Sequence, residues 1–508
     1  MIHQLIIWPI LFQLLLAIVL MFAWRHIRMQ RYLSMIGGVI SLGIAILLFI
    51  RVWNTGILTI QAGNWAAPFG ITFVADTLAV TLVLLTSISG IAVSVFSAGS
   101  VHNDRLRFGF LPVFHFLLLG LNGAFLTGDI FNLYVWFEII IISSFVLITI
   151  GGEKKQLEGA VKYFTMNILA SVIFLTAAGV LYGIAGTLNM ADLSIKIAAI
   201  ENRGLVNVCA LLFLIGFGIK SAVFPLYFWL PASYHTPPDA VSAIFGGLLT
   251  KVGVYALIRV FTLIFVGEVF IEHTLLVMAA LTMLTGGIGA LVQNNVRKIF
   301  SYLIICHIGY MIAGLGMFTE VALTGAIFYL IHDIVVKTNL FMVGGLLYKI
   351  TGFNKMSEMG GIYTRYPLLA LLIAIPLLSL VGIPPLSGFW PKISLIVASY
   401  QTNSYYIIGF ILFASLITLF IIARLWSEVL WTNYNGVNSD RRFKYFDKLT
   451  YRKKLLYVTP IIFLAFISLY IGFFAGHIQN LSERIAYELT HNHIYIEAVL
   501  GSVNTLVK

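Results

Sequence analysis

The sequence predicts an all-α polytopic membrane protein. It should carry about fourteen transmembrane helices, with two inverted five-helix repeats (spans 4–8 and 9–13) and one broken helix in each (spans 7 and 12). Three observations carry this. The 508-residue chain is 60% hydrophobic and only 10% charged, with a mean hydropathy of +0.99. Fourteen apolar runs are long enough to cross a bilayer. Two distant segments align without a gap, five spans apart.

A soluble domain of this composition would lack polar side chains to cover its surface. A span needs about 20 mostly apolar residues. Runs of that kind lie near 4–23, 32–51, 75–97, 109–127, 130–150, 159–184, 205–229, 239–262, 273–292, 298–317, 321–349, 366–400, 405–431 and 455–476. The first, LIIWPILFQLLLAIVLMFAW, has no positive n-region and no small-residue cleavage site, so it reads as a retained span rather than a signal peptide. The polar segment from 478 onward reads as a tail or surface helix. Cys209 and Cys306 fall in apolar runs and predict buried free thiols rather than a disulfide or a metal site.

The formal net charge of +11 does not point to nucleic acid, because the basic residues sit in short loops between apolar runs. They set topology instead. With the N-terminus outside, the inner loops hold Arg25, Arg28 and Arg31; Arg105 and Arg107; Lys154, Lys155 and Lys162; Arg297 and Lys298; Lys349, Lys355 and Arg365; and Arg441, Arg442, Lys444, Lys448, Arg452, Lys453 and Lys454. That is twenty of the 31 basic residues. The positive-inside rule therefore favours both termini outside, which agrees with an even number of spans.

Residues 159–186, GAVKYFTMNILASVIFLTAAGVLYGIAG, align with 325–352, GAIFYLIHDIVVKTNLFMVGGLLYKITG, with nine identities in 28. Gly159 meets Gly325 and Tyr163 meets Tyr329. These are the sixth and eleventh spans, so the repeat unit is five helices, and an odd number inverts the second copy. The organisation that follows is 1–107 for the first three spans, 108–262 and 263–431 for the two repeats, and 432–508 for the last span and tail. Pro225 in the seventh run and Pro384 and Pro385 in the twelfth occupy the fourth place of each unit. Proline removes a backbone donor and clashes with the preceding turn. Freed backbone groups at membrane depth are tolerated only inside protein or beside water. Each repeat should therefore hold one broken helix lining a polar cavity.

Charged side chains at bilayer depth are costly and mark ion pathways. Glu138 lies nine residues after Asp129, about 13 Å along a helix. Lys220 lies five residues before Pro225, and Lys251 twelve after Asp239, about 18 Å deep. His332 and Lys337 lie in the eleventh span, and Lys392 follows the double proline of the twelfth. These six are the predicted proton relay. His235 in the ASYHTPPD connection, His307 and Asp333 form a second tier or an inlet. The competing reading is a set of structural ion pairs, and for His307 a plain bond to a backbone carbonyl. Asp76 and His115 read as residues of span ends or structural pairs, and Arg259 and Arg424 as snorkelling side chains. Lysine changes protonation readily when desolvated, and a nearby carboxylate opposes that change. Glu138 beside Lys220 would hold the proton, and moving it away would release the proton toward Lys251, His332 or Lys337, and Lys392.

At these residues the sequence resembles a known family. GFGIKSAVFPLYFWLPASYHTPPDAVSAIFGGLLTKVG (216–253), QNNVRKIFSYLIICHIGYMIAG (293–314) and GIPPLSGFWPK (382–392) are similar to the antiporter-like subunits shared by respiratory NADH:quinone oxidoreductase (complex I) and Mrp-type cation/proton antiporters. The length, Lys392 and the KYFTMNILAS wording are similar to the D-type branch of the Mrp antiporters. The resemblance implies fourteen helices, inverted repeats and two half-channels joined by a polar axis. It places the family's proton-carrying roles on Glu138, Lys220, Lys251, His332, Lys337 and Lys392. It also implies a bacterial cytoplasmic membrane, other subunits of one hetero-oligomeric Na⁺/H⁺ antiporter as partners, no cofactor, and a secondary transporter rather than an enzyme. A proton-pumping subunit of a redox-driven complex is the alternative. The chain has no CxxC set, no dinucleotide fingerprint and no haem pattern, but such subunits lack cofactors in either complex. About thirty residues follow the last apolar run, too few for the long amphipathic helix of one complex I subunit. A membrane scaffold without an ion path would not need matched helix breaks and mid-depth lysines.

Overall fold

The computed structural model describes residues 3–432, 443 and 446–501. Arg441, Arg442 and Lys444 of the basic cluster lie outside these residues. Twelve described helices are long and apolar enough to cross a membrane, and two shorter apolar helices, Phe110–Leu126 and Pro367–Val381, complete a set of fourteen. In chain order they are α1 (Trp8–Phe22), α2 (Ile27–Thr55), α3 (Thr77–Ser100), α4 (Phe110–Leu126), α5 (Ile130–Thr149), α6 (Lys154–Ala185), α7a (Arg203–Ser221), α8 (Asp239–Leu263), α9 (Val269–Leu291), α10 (Val296–Met317), α11 (Glu320–Thr351), α12a (Pro367–Val381), α13 (Tyr405–Trp431) and α14 (Tyr451–Phe473). The second halves of the broken helices are α7b (Trp229–Ser233) and α12b (Phe389–Gln401).

Several helices outrun the apolar runs that signalled them. α6 and α11 are each 32 residues long, about 48 Å, against a hydrocarbon core of about 30 Å. Hydropathy marks only the part within lipid. α6 gains its extra length at its start, through the polar segment 154–158, and both helices stop at a glycine just past their apolar runs. Gly186 and Gly352 end them with φ of +69° and +79°, a left-handed conformation that other residues rarely adopt. The all-α expectation misses one feature. Residues Leu58–Gln61 (β1) and Thr72–Ala75 (β2) pair as a small antiparallel hairpin between α2 and α3. Four-residue strands carry too few alternations to be told from a loop. The segment after 478 is helical, as α15 (Ala475–Thr490) and α16 (Asn492–Leu500), with Ile485, Ala486 and Leu489 buried.

The centre of the molecule is set by α8, α10 and α11. The apolar windows of α8 and α11 are 100% buried, whereas those of α2, α6 and α13 are 33% buried and present apolar side chains outward. Such outward faces need a lipid or protein neighbour.

Both predicted breaks are present. The seventh helix stops at Ser221 and resumes at Trp229, and the twelfth stops at Val381 and resumes at Phe389. The breaks match residue for residue. Ala222 and Gly382 are left-handed, and their N–H groups bond back to Gly218 and Ile219, and to Leu378 and Ser379. The N–H of Val223 then reaches Gly218 O, and that of Ile383 reaches Leu378 O. The α5–α6 and α10–α11 pairs also correspond. Ile130 N bonds Leu188 O where Val296 N bonds Asn354 O, and Met190 N bonds Gly128 O where Met356 N bonds Asn294 O.

Candidate functional site

The glycine pair Gly246–Gly247 is what lets α8 and α11 approach. A Cβ on Gly246 would strike the Phe341 ring, and one on Gly247 would meet Thr338 Oγ1 and Ile334 O. The same residues form a π-turn, Phe245–Leu249, a widened ring that is frequent at functional sites. Lys251 follows it. Its Nζ donates to Gly246 O at 2.8 Å and lies 2.8 Å from Asp333 Oδ2 on α11, with both side chains fully buried. The second oxygen of Asp333 takes His307 of α10, whose Nδ1 is 3.3 Å away. His307 packs edge-on against Tyr310 and Tyr329, which stack at 4.8 Å.

One turn further along α11, Lys337 lies at i+4 from Asp333, on the same helix face. Its Nζ is buried and makes no hydrogen bond to protein. His332, next to Asp333, faces the other way. Its Nδ1 bonds Ser387 Oγ at 2.8 Å inside the α12 break, and Ser387 continues through Ser468 to Ser379 at 3.1 Å each. Lys392 Nζ, one turn into α12b, donates to Val381 O at 2.7 Å, a carbonyl that the break leaves at the end of α12a. It also lies 5.4 Å from the centre of the Tyr310 ring. α11 thus joins the α12 break, through His332, to α8 and α10, through Asp333.

The other half of the site is built differently. Lys220 sits in the last turn of α7a, where the helix dipole favours a cation. Its Nζ donates to Ser171 Oγ of α6 at 3.2 Å and rests 4.5 Å over the Phe137 ring. A cavity of about 10 Å³ adjoins it, lined by Phe137, Tyr163, Asn167 and Tyr234 among others, and is large enough for about one water. The expected Glu138–Lys220 ion pair is not closed in this structure. Successive helical residues diverge by about 100°, so Phe137 facing Lys220 turns Glu138 aside. Glu138 Oε1 is left buried without a hydrogen-bond partner.

The remaining predicted residues fall outside this row. His235 is half-buried in the loop before α8, and its Nδ1 is 2.8 Å from Pro231 O. Burial, with the charge of Lys298 acting in the same direction, pushes it down to about 4. Pro225, Pro384 and Pro385 lie in the two breaks. Arg259 does not snorkel. It is buried and pairs with Asp76 at 2.5 Å, with Tyr255 and Tyr495 rings at 5.5 and 5.2 Å. A buried acid that caps the start of the neighbouring α3 captured it, and one-helix reasoning does not see such a partner. Arg424 pairs with Glu428 and Asn294 near the end of α13. His115 sits between Ser34 Oγ and Gln13 Oε1, each at 2.8 Å, as a structural pairing. Cys209 and Cys306 are buried.

Sequence reasoning set Asp333 in the second tier, whereas the structure brings it against Lys251 and His307, and it did not single out Ser171, Asn167, Ser387 or the Gly246–Gly247 turn. A signal was present for two of them. The gapless repeat alignment sets Asn167 opposite Asp333 and Ser171 opposite Lys337.

Residues 127–418 match the family model described as NADH:quinone oxidoreductase/Mrp antiporter, transmembrane. This chain belongs to that family. It is 42% identical over 499 residues to the D-type subunit of the Na⁺/H⁺ antiporter of Alkalihalophilus pseudofirmus, covering 98% of this chain and 99% of that one. It is 42% identical over 501 residues to the like-named protein from Bacillus subtilis, again covering 98% and 99%. Among solved structures it is similar to a chain of the Mrp complex from a Dietzia species, with a TM-score of 0.90, 27% identity, and coverage of 98% and 99%. The matched family region begins just before α5 and ends within α13. It therefore contains every residue of the row from Glu138 to Lys392.

Proposed function

We propose that this family member is the proton-carrying D-type subunit of a hetero-oligomeric Na⁺/H⁺ antiporter, working with the other subunits of that complex in a bacterial cytoplasmic membrane. The carrying observation is the row of titratable side chains that runs from one helix break to the other: Lys220, Lys251, Asp333, His307, Lys337, His332 and Lys392, all buried, with the half-buried Glu138 beside them. Buried charges are retained where they move or bind ions. One carboxylate, Asp333, faces two lysines and a histidine. It can balance one cation at a time, so a proton arriving at one base favours release from another.

In this reading, residues 108–262 and 263–431 form the inverted repeats, supported by the matched breaks and the matched lengths of α6 and α11. Both termini lie outside, supported by the distribution of lysine and arginine. Glu138 would close on Lys220 in one state and open in another, so Lys220 alternates between holding and passing its proton. His235 would serve the inner inlet.

The test is Na⁺-driven pH change in inverted vesicles holding the whole complex, with assembly checked on a native gel. Lys220→Ala and Lys392→Ala should each abolish exchange while the complex remains assembled. Exchange that persists in both would move the proton path to another subunit.

A further inference from the structure

Away from the titratable row, an apolar groove of about 670 Å³ opens on the outer surface between the beginnings of α12a and α14. Leu368, Leu371, Leu372, Val458 and Ile462 line it, and Leu368 and Leu371 are 82% and 64% exposed. Arg365 and Lys454 stand at its mouth. From Pro367 to Ile375 the groove descends about 12 Å along α12a. Its apolar walls therefore sit at acyl-chain depth and its basic rim at headgroup depth.

We propose that this groove holds one anionic phospholipid, its phosphate between Arg365 and Lys454 and an acyl chain along Leu368, Leu371 and Ile462. The charge balance selects an anion. Asp447 accepts from Arg365 at 3.0 Å and from the Tyr366 hydroxyl at 2.6 Å, so one carboxylate is already engaged with Arg365. Against it stand Arg365, Lys454 and the neighbouring exposed Lys448, Arg452 and Lys453. Lys454 Nζ rests 5.4 Å from the Phe446 ring centre and has no ion-pair partner among the described residues. Both α12a and α14 also begin at this mouth, so two helix N-termini add positive potential there. A neighbouring protein seated here would have to bring its own anion to this basic rim, and its peptide would then cross-link to the groove in place of lipid. A lipid keeps the charged rim wet and buries only the apolar walls. The proposal is independent of how the complex exchanges ions.

The experiment places the assembled complex in nanodiscs of phosphatidylcholine doped with photoactivatable phosphatidylglycerol or, separately, photoactivatable phosphatidylcholine, and maps the labelled peptides. Phosphatidylglycerol should label 366–375 and 454–462 several-fold more than phosphatidylcholine. Lys454→Gln should lower that labelling about five-fold, the weight of one basic side chain at an anionic surface, and leave phosphatidylcholine labelling unchanged. Leu371→Trp should reduce labelling by both lipids by filling the groove. Millimolar inorganic phosphate should not compete, since the acyl chain supplies part of the binding. Equal labelling by the two lipids, or no change in Lys454→Gln, overturns the proposal. So does cross-linking of another subunit's peptide to this groove in place of lipid.

Discussion

Lys220, which reaches α6, and Lys251, which reaches α11, meet opposite receptions. Lys251 is clamped: its ammonium lies 2.8 Å from Asp333 Oδ2 and 2.8 Å from a carbonyl, in a region sealed from solvent. Lys220 is lodged against a serine hydroxyl and an aromatic face, beside room for about one water, with Glu138 turned aside. The repeat alignment explains the contrast. α11 carries its own carboxylate and a second lysine at the positions where α6 carries Asn167 and Ser171. In the α5–α6 half the acid stands instead on α5. Asp333 on α11 thus stands in contact with its lysine, whereas Glu138 on α5 is turned aside from Lys220; in the proposed reading that acid moves to act.

The break region repeats the lesson with a different outcome. The backbones of the two breaks superpose in hydrogen bonding, yet their lysines lie on opposite sides of the gap. Lys220 precedes its break and Lys392 follows its own. The shared architecture supplies polar space at membrane depth. Where the lysine enters that space is decided separately in each half.

If Asp333 is the fixed counter-charge, removing it should produce the largest effect. Asp333→Ala leaves Lys251 buried without a carboxylate, and breaking such a pair costs about 3–5 kcal/mol. The complex should melt earlier or assemble poorly, and exchange should vanish. A normal melting temperature in this variant would show that the clamp is not structural. Glu138→Gln should do the reverse. No ion pair is lost, so stability should stay within about 1 kcal/mol while exchange falls by about 10²-fold, the usual weight of a positioned proton-transfer group. Measuring melting and vesicle exchange on the same preparations separates the two halves.

The contrast can also be erased by design. Asn167→Asp gives α6 the acid that α11 has, at a residue lining the cavity beside Lys220. A fixed carboxylate there should hold the Lys220 proton and slow exchange several-fold while assembly persists, because an opposite charge nearby favours the protonated amine. Unchanged exchange would mean that Lys220 does not need a movable partner.

Much of this was legible from the chain alone. Hydropathy located the fourteen crossings because lipid allows few polar residues, and prolines located both breaks because no continuous helix accommodates them. The row of titratable residues between the breaks was visible as isolated charges in apolar runs. What stayed hidden is pairwise and three-dimensional. Asp333 looked secondary because its two partners lie on α8 and α10, more than 20 residues away in sequence. Arg259 looked like a snorkelling side chain because Asp76, far off in sequence, gives no local sign of its approach. Glu138 looked paired because spacing along a helix gives depth but not the direction that Phe137 imposes. The hairpin of β1 and β2 was too short to leave a pattern.

The smallest predicted effect concerns His235, the one predicted inlet residue outside the spans. Its ring is half-buried beside Lys298 and pushed down to about 4 from the ordinary 6.5. The depressed value means the folded chain favours the neutral ring. That contribution to stability is complete above pH 6.5 and is lost as pH falls toward 4. His235→Gln removes the ionisation, so the melting temperature of the variant complex should fall less than that of the wild type between pH 7 and pH 5. The exchange profile from pH 7 to pH 9 should not shift, since the ring is neutral throughout. A shift in that alkaline range would instead give His235 a charged role at the inlet. The inner mouth would then resemble the clamped half of the molecule, with its proton held by charge rather than passed through a neutral ring.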